Sequence, residues 1–281
     1  MTKNIGVLGS GVMGGGIAQM FAEKDFNVLL WDVEASVAEG GFEKIKKRLM
    51  KSVEKGKIDS STAVAICGRI KPVARLQQMS EADLVIEAVV EDMNIKAELY
   101  RKLEEVISSE AIVGTNTSSL SVEALSAHWQ KPERFLGIHF FNPPTKLELV
   151  ELILPAKTSL ETTRKVKEIL QKCGKTMVDV KDSPGFIVNR LLIPMINEAA
   201  KLLDNGTADV SAIDTAMRLG ALHPAGPLEV ADLIGLDVCQ KILERMAKAL
   251  QNPFYEPAKA INERVDSGCL GRKSGAGFYK Y

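Results

Sequence analysis

A histidine is the side chain best suited to exchanging a proton near neutral pH, which makes it the first residue type to weigh as a general acid or base. The chain has three, His128, His139 and His223. His139 ends a predicted strand in Gly137-Ile138-His139-Phe140-Phe141-Asn142-Pro143, and ligands of open α/β sheets bind at the carboxyl ends of parallel strands. His128 falls in a polar helix-end segment and His223 precedes a proline in a turn, both ordinary structural settings. His139 is therefore the candidate catalytic base. Glu151 lies in the apolar stretch Leu149-Val150-Glu151-Leu152-Ile153, and two readings of it are open. It could pair with His139, which would fix the imidazole tautomer and satisfy a costly buried charge. Equally, it could face water from an edge strand, because Glu148 alternates with it. Thr115-Asn116-Thr117-Ser118-Ser119 follows another strand; Ser121 suffices to cap the helix expected from Val122, so the surplus hydroxyl and amide groups suggest contact with cofactor and substrate.

A second constellation binds rather than reacts. Gly9-Ser10-Gly11-Val12-Met13-Gly14 fits G-x-G-x-x-G directly after a strand and at the start of a helix. The spacing has a mechanism: a tight turn at Gly9, bare backbone for a pyrophosphate at Gly11, and close helix–strand packing at Gly14. The helix N-terminus adds unpaired N–H groups and the positive end of its dipole. Asp32, at the end of the next strand, stands where a ribose-binding acid is expected. A carboxylate accepts from the ribose hydroxyls and repels a 2′-phosphate, which favours NAD over NADP.

The elements that must hold these residues alternate along the first half. Short apolar runs at Ile5–Leu8, Val28–Trp31, Leu84–Ala88, Ile112–Thr115 and Leu136–Phe140 read as buried parallel strands separated by helices. From Ala35 to Ile70 the chain reads as two helices broken at Gly56–Ser60, the second capped by Ser60 or Ser61. Leu147–Leu154 and Thr176–Val180 read as further strands flanking a helix over Ser159–Cys173. The pattern changes at Lys181-Asp182-Ser183-Pro184-Gly185, after which everything reads helical to about Asp266. The first helix there runs from Phe186 to Asp204, with Pro194 inside it and Asn205-Gly206 as the stop. The expected architecture is α/β: a Rossmann-type, doubly wound, mostly parallel sheet with a helical-hairpin excursion over residues 1–182, then a smaller all-α domain over 183–281.

Composition narrows the class. Lys plus Arg and Asp plus Glu number 36 each, so the net charge is zero and nothing favours nucleic acid or another polyanion as a partner. The scattered cysteines, Cys67, Cys173, Cys239 and Cys269, form no C-x-x-C pair, which argues against a disulfide framework or a thiolate metal site. No apolar stretch is long enough to span a bilayer and none resembles a signal peptide. The expected setting is the cytoplasm, with no metal and no membrane partner.

In order along the whole chain, Gly9–Gly14, Glu87–Glu91, Asn116–Leu120, His139–Pro143, Pro184–Arg190, His223–Pro227 and Gly271–Gly275 resemble the 3-hydroxyacyl-CoA dehydrogenase family, in particular its short bacterial 3-hydroxybutyryl-CoA members. The resemblance implies NAD-dependent interconversion of a short (S)-3-hydroxyacyl-CoA and its 3-keto form. It makes His139 the acid/base and Glu151 its orienting carboxylate, with Ser118 and Asn189 hydrogen-bonded to the substrate. It puts Asp32, Glu91, Lys96, Asn116, Ser118, Asn142 and Lys273 around NAD, and Lys55 at the CoA phosphates. The bland alternatives are a solvated helix face for Lys55 and a bond to a neighbouring carbonyl for Asn189. A homodimer through the helical domain is expected, since apolar residues in 191–203 and 230–246 can serve as core or interface. In one place the chain departs from the family pattern: Glu148 stands where a lysine is usual, which puts the surroundings of Glu151 in doubt. The rival functions are a same-fold dehydrogenase of a free hydroxy or sugar acid, and an NAD-binding protein without chemistry.

Overall fold

The structure, a computed structural model, describes residues 4–281. It divides into two compact units, the first ending at Asp182 and the second spanning Ser183–Tyr281.

The first unit runs β1 (Asn4–Leu8), α1 (Val12–Ala22), β2 (Asn27–Trp31), α2 (Ala35–Glu54), α3 (Ser60–Gly68), β3 (Ile70–Val73), β4 (Leu84–Glu87), α4 (Met93–Glu104), β5 (Ile112–Thr115), α5 (Val122–Ser126), β6 (Phe135–Phe140), β7 (Leu149–Ile153), α6 (Leu160–Lys172) and β8 (Thr176–Val180). These strands form one sheet in the order β3-β2-β1-β4-β5-β6-β7-β8. The strands from β3 to β6 pair parallel, β7 lies antiparallel to β6, and β8 runs parallel to β7. The strand order reverses between β1 and β4, so the crevice outside their carboxyl ends is the place where such a sheet holds a ligand. Central strands are short apolar runs because both faces are covered: all four residues of β4 and all six of β6 are buried.

Local chemistry sets the helix starts. Asp92, Ser121 and Ser159 each accept a backbone N–H from the first turn of α4, α5 and α6. Two expectations are corrected in this unit. Ile70–Val73 is a strand, not the end of a helix; Lys71 and Pro72 hide it in the sequence, and Pro72 is tolerated because β3 pairs only with β2 at the sheet edge. The cap of α3 is Asp59 rather than Ser60 or Ser61: its extended backbone precedes the first helical residue, and its carboxylate accepts Thr62 N at 2.6 Å.

The second unit contains α7 (Val188–Asp204), α8 (Val210–Gly220), α9 (Pro227–Ile234), α10 (Leu236–Leu250) and α11 (Lys259–Asp266). The first of these starts at Val188 rather than Phe186, whose φ of 51° is left-handed and not helical. Ile193, Ile196 and Ala200 on α7 pack with Leu228, Leu243 and Ile261 in its core. Three buried polar residues tie this small core together. Asn197 donates to Glu256 O and accepts from Ala258 N, both at 2.8 Å. Asp214 accepts Leu228 N and Glu229 N at the start of α9, and Tyr279 OH. Asp232 accepts Phe278 N, Tyr279 N and Tyr281 OH, holding the C-terminal segment down. We predict that Asp232→Ala, which leaves two backbone donors unanswered, costs about 2–4 kcal/mol of stability. Urea denaturation checks the loss, and amide exchange should show residues 276–281 released first.

Candidate active site

Gly9, with φ of 97°, turns the chain from β1 into α1, and its N–H donates to Trp31 O at 2.8 Å. A Cβ on it would stand 2.5 Å from Ala88 O, and one on Gly14 would stand 1.8 Å from Gly9 O. A Cβ on Gly11 would meet nothing within 4 Å. The outer glycines are thus bare because protein atoms are close, whereas the middle one faces open space, the shape a pyrophosphate approaching backbone requires. Val12 and Met13 open α1. Ser10 links the loop to the second strand: its N and Oγ donate to Asp32 Oδ2 at 2.7 and 2.8 Å. Val33 N donates to Asp32 Oδ1 at 2.8 Å, so the carboxylate at the end of β2 is fixed by three donors. These residues fit the adenosine and pyrophosphate of a dinucleotide.

The loops after β4 and β5 are joined by acids. Glu91 Oε1 accepts Thr117 Oγ1 at 2.6 Å, Ser119 Oγ at 2.9 Å and Ser118 N at 3.0 Å. Its Oε2 lies 3.2 Å from Lys96 Nζ. Burial by itself would raise the Glu91 pKa; the Lys96 charge and these donors together outweigh it and hold the carboxyl below its usual value. Lys96 is only 1% exposed, its ammonium lying between Glu91 and Glu87. Asn116 Oδ1 accepts Phe140 N at 2.9 Å, tying the β5 loop to the strand that carries His139.

His139 and Glu151 are register partners across the antiparallel β6–β7 pair. Their Nδ1 and Oε2 atoms are 2.7 Å apart, with His139 5% and Glu151 0% exposed. Of the two readings of Glu151, the structure has the buried one: β8 pairs along the other side of β7, so β7 is not the sheet edge. Glu148 is exposed and outside the strand, so the unusual residue leaves the pair intact. The Phe141 ring lies against the imidazole, with centroids 4.6 Å apart and planes tilted by 58°. Asn142, on the exposed turn beyond, precedes Pro143 through a cis peptide bond.

The remaining candidates are scattered. Lys55 is exposed at the C-cap of α2, beyond the lysine-dense stretch. In the second unit, Asn189 is half-buried in the first turn of α7, and the Lys273 ammonium pairs with Asp237. Two positions that the sequence reading left without a role are prominent here. Glu87 gathers donors from three elements, and its signal was an acid closing the apolar run Leu84-Val85-Ile86-Glu87. Lys175 is 8% exposed and donates to Pro144 O at 2.5 Å and Leu147 O at 2.7 Å, bracing the turn after β6. Burial lowers its pKa, opposed most by Cys173 and Glu148. Nothing in the sequence marks it, since any surface lysine has the same chemistry.

Residues 4–183 match the model of the 3-hydroxyacyl-CoA dehydrogenase NAD-binding domain, and residues 185–281 that of the family's C-terminal domain. The chain belongs to the 3-hydroxyacyl-CoA dehydrogenase family. It is 43% identical over 279 residues to a 3-hydroxybutyryl-CoA dehydrogenase of Bradyrhizobium diazoefficiens, covering 99% of this chain and 95% of that one. A 3-hydroxybutyryl-CoA dehydrogenase of Clostridioides difficile is 41% identical over 281 residues, with 99% of each chain covered. The crystal structure of the (S)-3-hydroxybutyryl-CoA dehydrogenase of Ralstonia eutropha superposes with a TM-score of 0.93 at 37% identity, covering 100% of this chain and 99% of that one. The enzyme is an NAD-dependent 3-hydroxyacyl-CoA dehydrogenase, and among the described residues no helix is long and apolar enough to cross a membrane.

The glycine geometry separates binding from folding. Gly11→Ala should leave stability within about 1 kcal/mol, since its methyl meets nothing and its φ of −64° suits alanine. It should still weaken NADH by about tenfold or more, because the pyrophosphate needs that space. Gly14→Ala should instead destabilise the fold itself. Thermal melts and fluorescence titration with NADH distinguish the two.

Proposed function

We propose that this dehydrogenase interconverts (S)-3-hydroxybutyryl-CoA and acetoacetyl-CoA, with His139 as acid and base and Glu151 as its orienting partner. The observation that carries the reading is the buried 2.7 Å contact between His139 Nδ1 and Glu151 Oε2 at the carboxyl end of β6. Glu151 holds the proton-bearing Nδ1, so Nε2 is the nitrogen that exchanges a proton with the substrate oxygen, and the carboxylate stabilises the charge the ring then acquires. Bound NAD supplies the hydride acceptor for oxidation and, once reduced, the donor for the reverse reaction. In oxidation His139 takes the C3 hydroxyl proton; in reduction it returns that proton to the C3 oxygen.

Positioning falls to the surrounding polar groups. Ser118, at the end of the β5 loop, and Asn189, on α7, hydrogen-bond the substrate oxygens. Asp32 takes the adenine ribose, while Glu91, Lys96, Asn116, Ser118, Asn142 and Lys273 serve the rest of NAD. Lys55 meets the CoA phosphates, supported by the neighbouring lysines of α2. Binding energy from the remote CoA portion helps hold C3 in reach of the histidine. The setting is the cytoplasm, and the enzyme works as a homodimer through its helical unit. Large apolar side chains exposed on that unit, among them Leu191, Leu219, Leu222 and Leu233, support this. Light scattering at micromolar concentration should return twice the chain mass; a monomer would remove the dimer from the proposal.

Turnover is tested by following NADH consumption with acetoacetyl-CoA, free acetoacetate and, separately, NADPH. Rapid loss that requires both NADH and the thioester is expected. Activity with free acetoacetate equal to that with the thioester would reassign the substrate to a free acid. His139→Gln should lower kcat by about 10²–10⁴-fold while leaving NADH affinity nearly unchanged. Unaltered kcat would remove His139 from the chemistry.

A further inference from the structure

Glu87 is the last residue of β4 and is wholly buried, yet it takes no part in the chemistry proposed above. Its Oε1 accepts Lys96 Nζ at 2.5 Å and Val89 N at 2.9 Å. Its Oε2 accepts Tyr100 OH at 2.7 Å and Thr115 Oγ1 at 2.8 Å. One carboxylate therefore joins the loop after β4, the end of β5 and two successive turns of α4. Burial, followed by the Glu87 charge, pushes the Tyr100 phenol well above its usual pKa, so that group remains a donor. Two of these links lead onward to the 116–119 loop of the proposed dinucleotide site. Thr115 Oγ1 accepts Thr117 N at 3.2 Å, and Lys96 reaches Glu91, which holds Thr117, Ser118 and Ser119.

We propose that Glu87 is a positioning residue for the dinucleotide. By holding Lys96 and Thr115, it sets where Glu91 and the 116–119 loop present their polar groups before NAD arrives. The proposal rests on the NAD site described above and adds a residue that does not touch the cofactor. The physical reason lies in charge balance. Lys96 is shared between two carboxylates, and it stays midway only while both attract it. With Glu87 neutralised, Glu91 alone answers the buried ammonium and is drawn toward it, away from the hydroxyls of the 116–119 loop. Such a shift of a few tenths of an ångström leaves the fold in place while misplacing donors and acceptors for the ligand.

The test is NADH affinity measured by fluorescence titration on folded protein, with thermal melts alongside. Glu87→Gln keeps the shape, and the Tyr100 and Thr115 hydroxyls can turn to accept from the amide. It should weaken NADH about tenfold, the size expected from misplacing one charge-assisted contact to the ligand. Tyr100→Phe removes a bond to the same carboxylate from α4, where the ring packs against Trp129 and Phe135 rather than the 116–119 loop. It should lower the melting temperature and leave NADH affinity within about twofold of wild type. Glu87→Gln binding NADH as wild type does overturns the proposal, and so does Tyr100→Phe weakening NADH as much as Glu87→Gln. Should Glu87→Gln fail to fold, Thr115→Val, which cuts the link to the 116–119 loop at nearly constant shape, carries the same two outcomes. Failure of the wild-type protein to bind NADH would overturn the dinucleotide site itself and this proposal with it.

Discussion

A carboxylate taken out of water has to be met by donors, and at the carboxyl edge of the sheet that requirement organises the first unit. Glu87, Glu91 and Asp32 lie at or just beyond strand ends and Glu151 lies within β7 opposite His139, and each is answered by groups from a different segment of chain. The loops after β1, β4 and β5 are too short to have cores of their own. They take their conformation from these acids, much as a helix start takes its conformation from its cap. The cost of leaving any of the acids unanswered, several kcal/mol for a buried ion, exceeds what a short loop could gain by adopting another shape.

The same edge separates two kinds of bare backbone. Gly9 and Gly14 are excluded from carrying side chains by atoms less than 3 Å away, while Gly11 is bare beside open space. Gly9 is bare because the chain after β4 lies against it and Gly14 because α1 packs on the end of β1, while the open space at Gly11 suits the proposed pyrophosphate. Ser10, between them, shows how closely the second layer follows: its side chain bonds to Asp32, and Gly41 of α2 lies against it, where a Cβ would stand 2.5 Å from Ser10 Cβ. Helix, loop and neighbouring strand are therefore set together, and the glycine loop takes its shape from this packing as well as from its own sequence.

In the helical unit the buried polar groups serve closure of the fold. Asp214 and Asp232 accept from backbone N–H groups of α9 and of the last residues, and Asn197 grips the turn before α11. A domain of this size buries limited apolar surface, and such bonds add specificity where the core alone is thin. Gly226 and Gly277 are small because each lies against one of those aspartates.

The sequence by itself determined whatever depends on local order along the chain. The glycine spacing, the strand runs, the acid at position 32, the candidate histidine and the change of pattern at Asp182–Ser183 all follow from residue type and periodicity. The family was legible for the same reason, because its motifs are contiguous. Only the tertiary structure decided between the readings of Glu151, since burial of a strand residue depends on whether another strand pairs beyond it, and β8 does. Only it revealed β3, where Lys71 and Pro72 mask an edge strand whose partner is distant in sequence. The Glu87 network and the Lys175 brace were likewise unreadable. A hydrogen bond between residues nine, twenty-eight or thirty-one positions apart leaves no trace in composition or period, because it depends on which strands become neighbours.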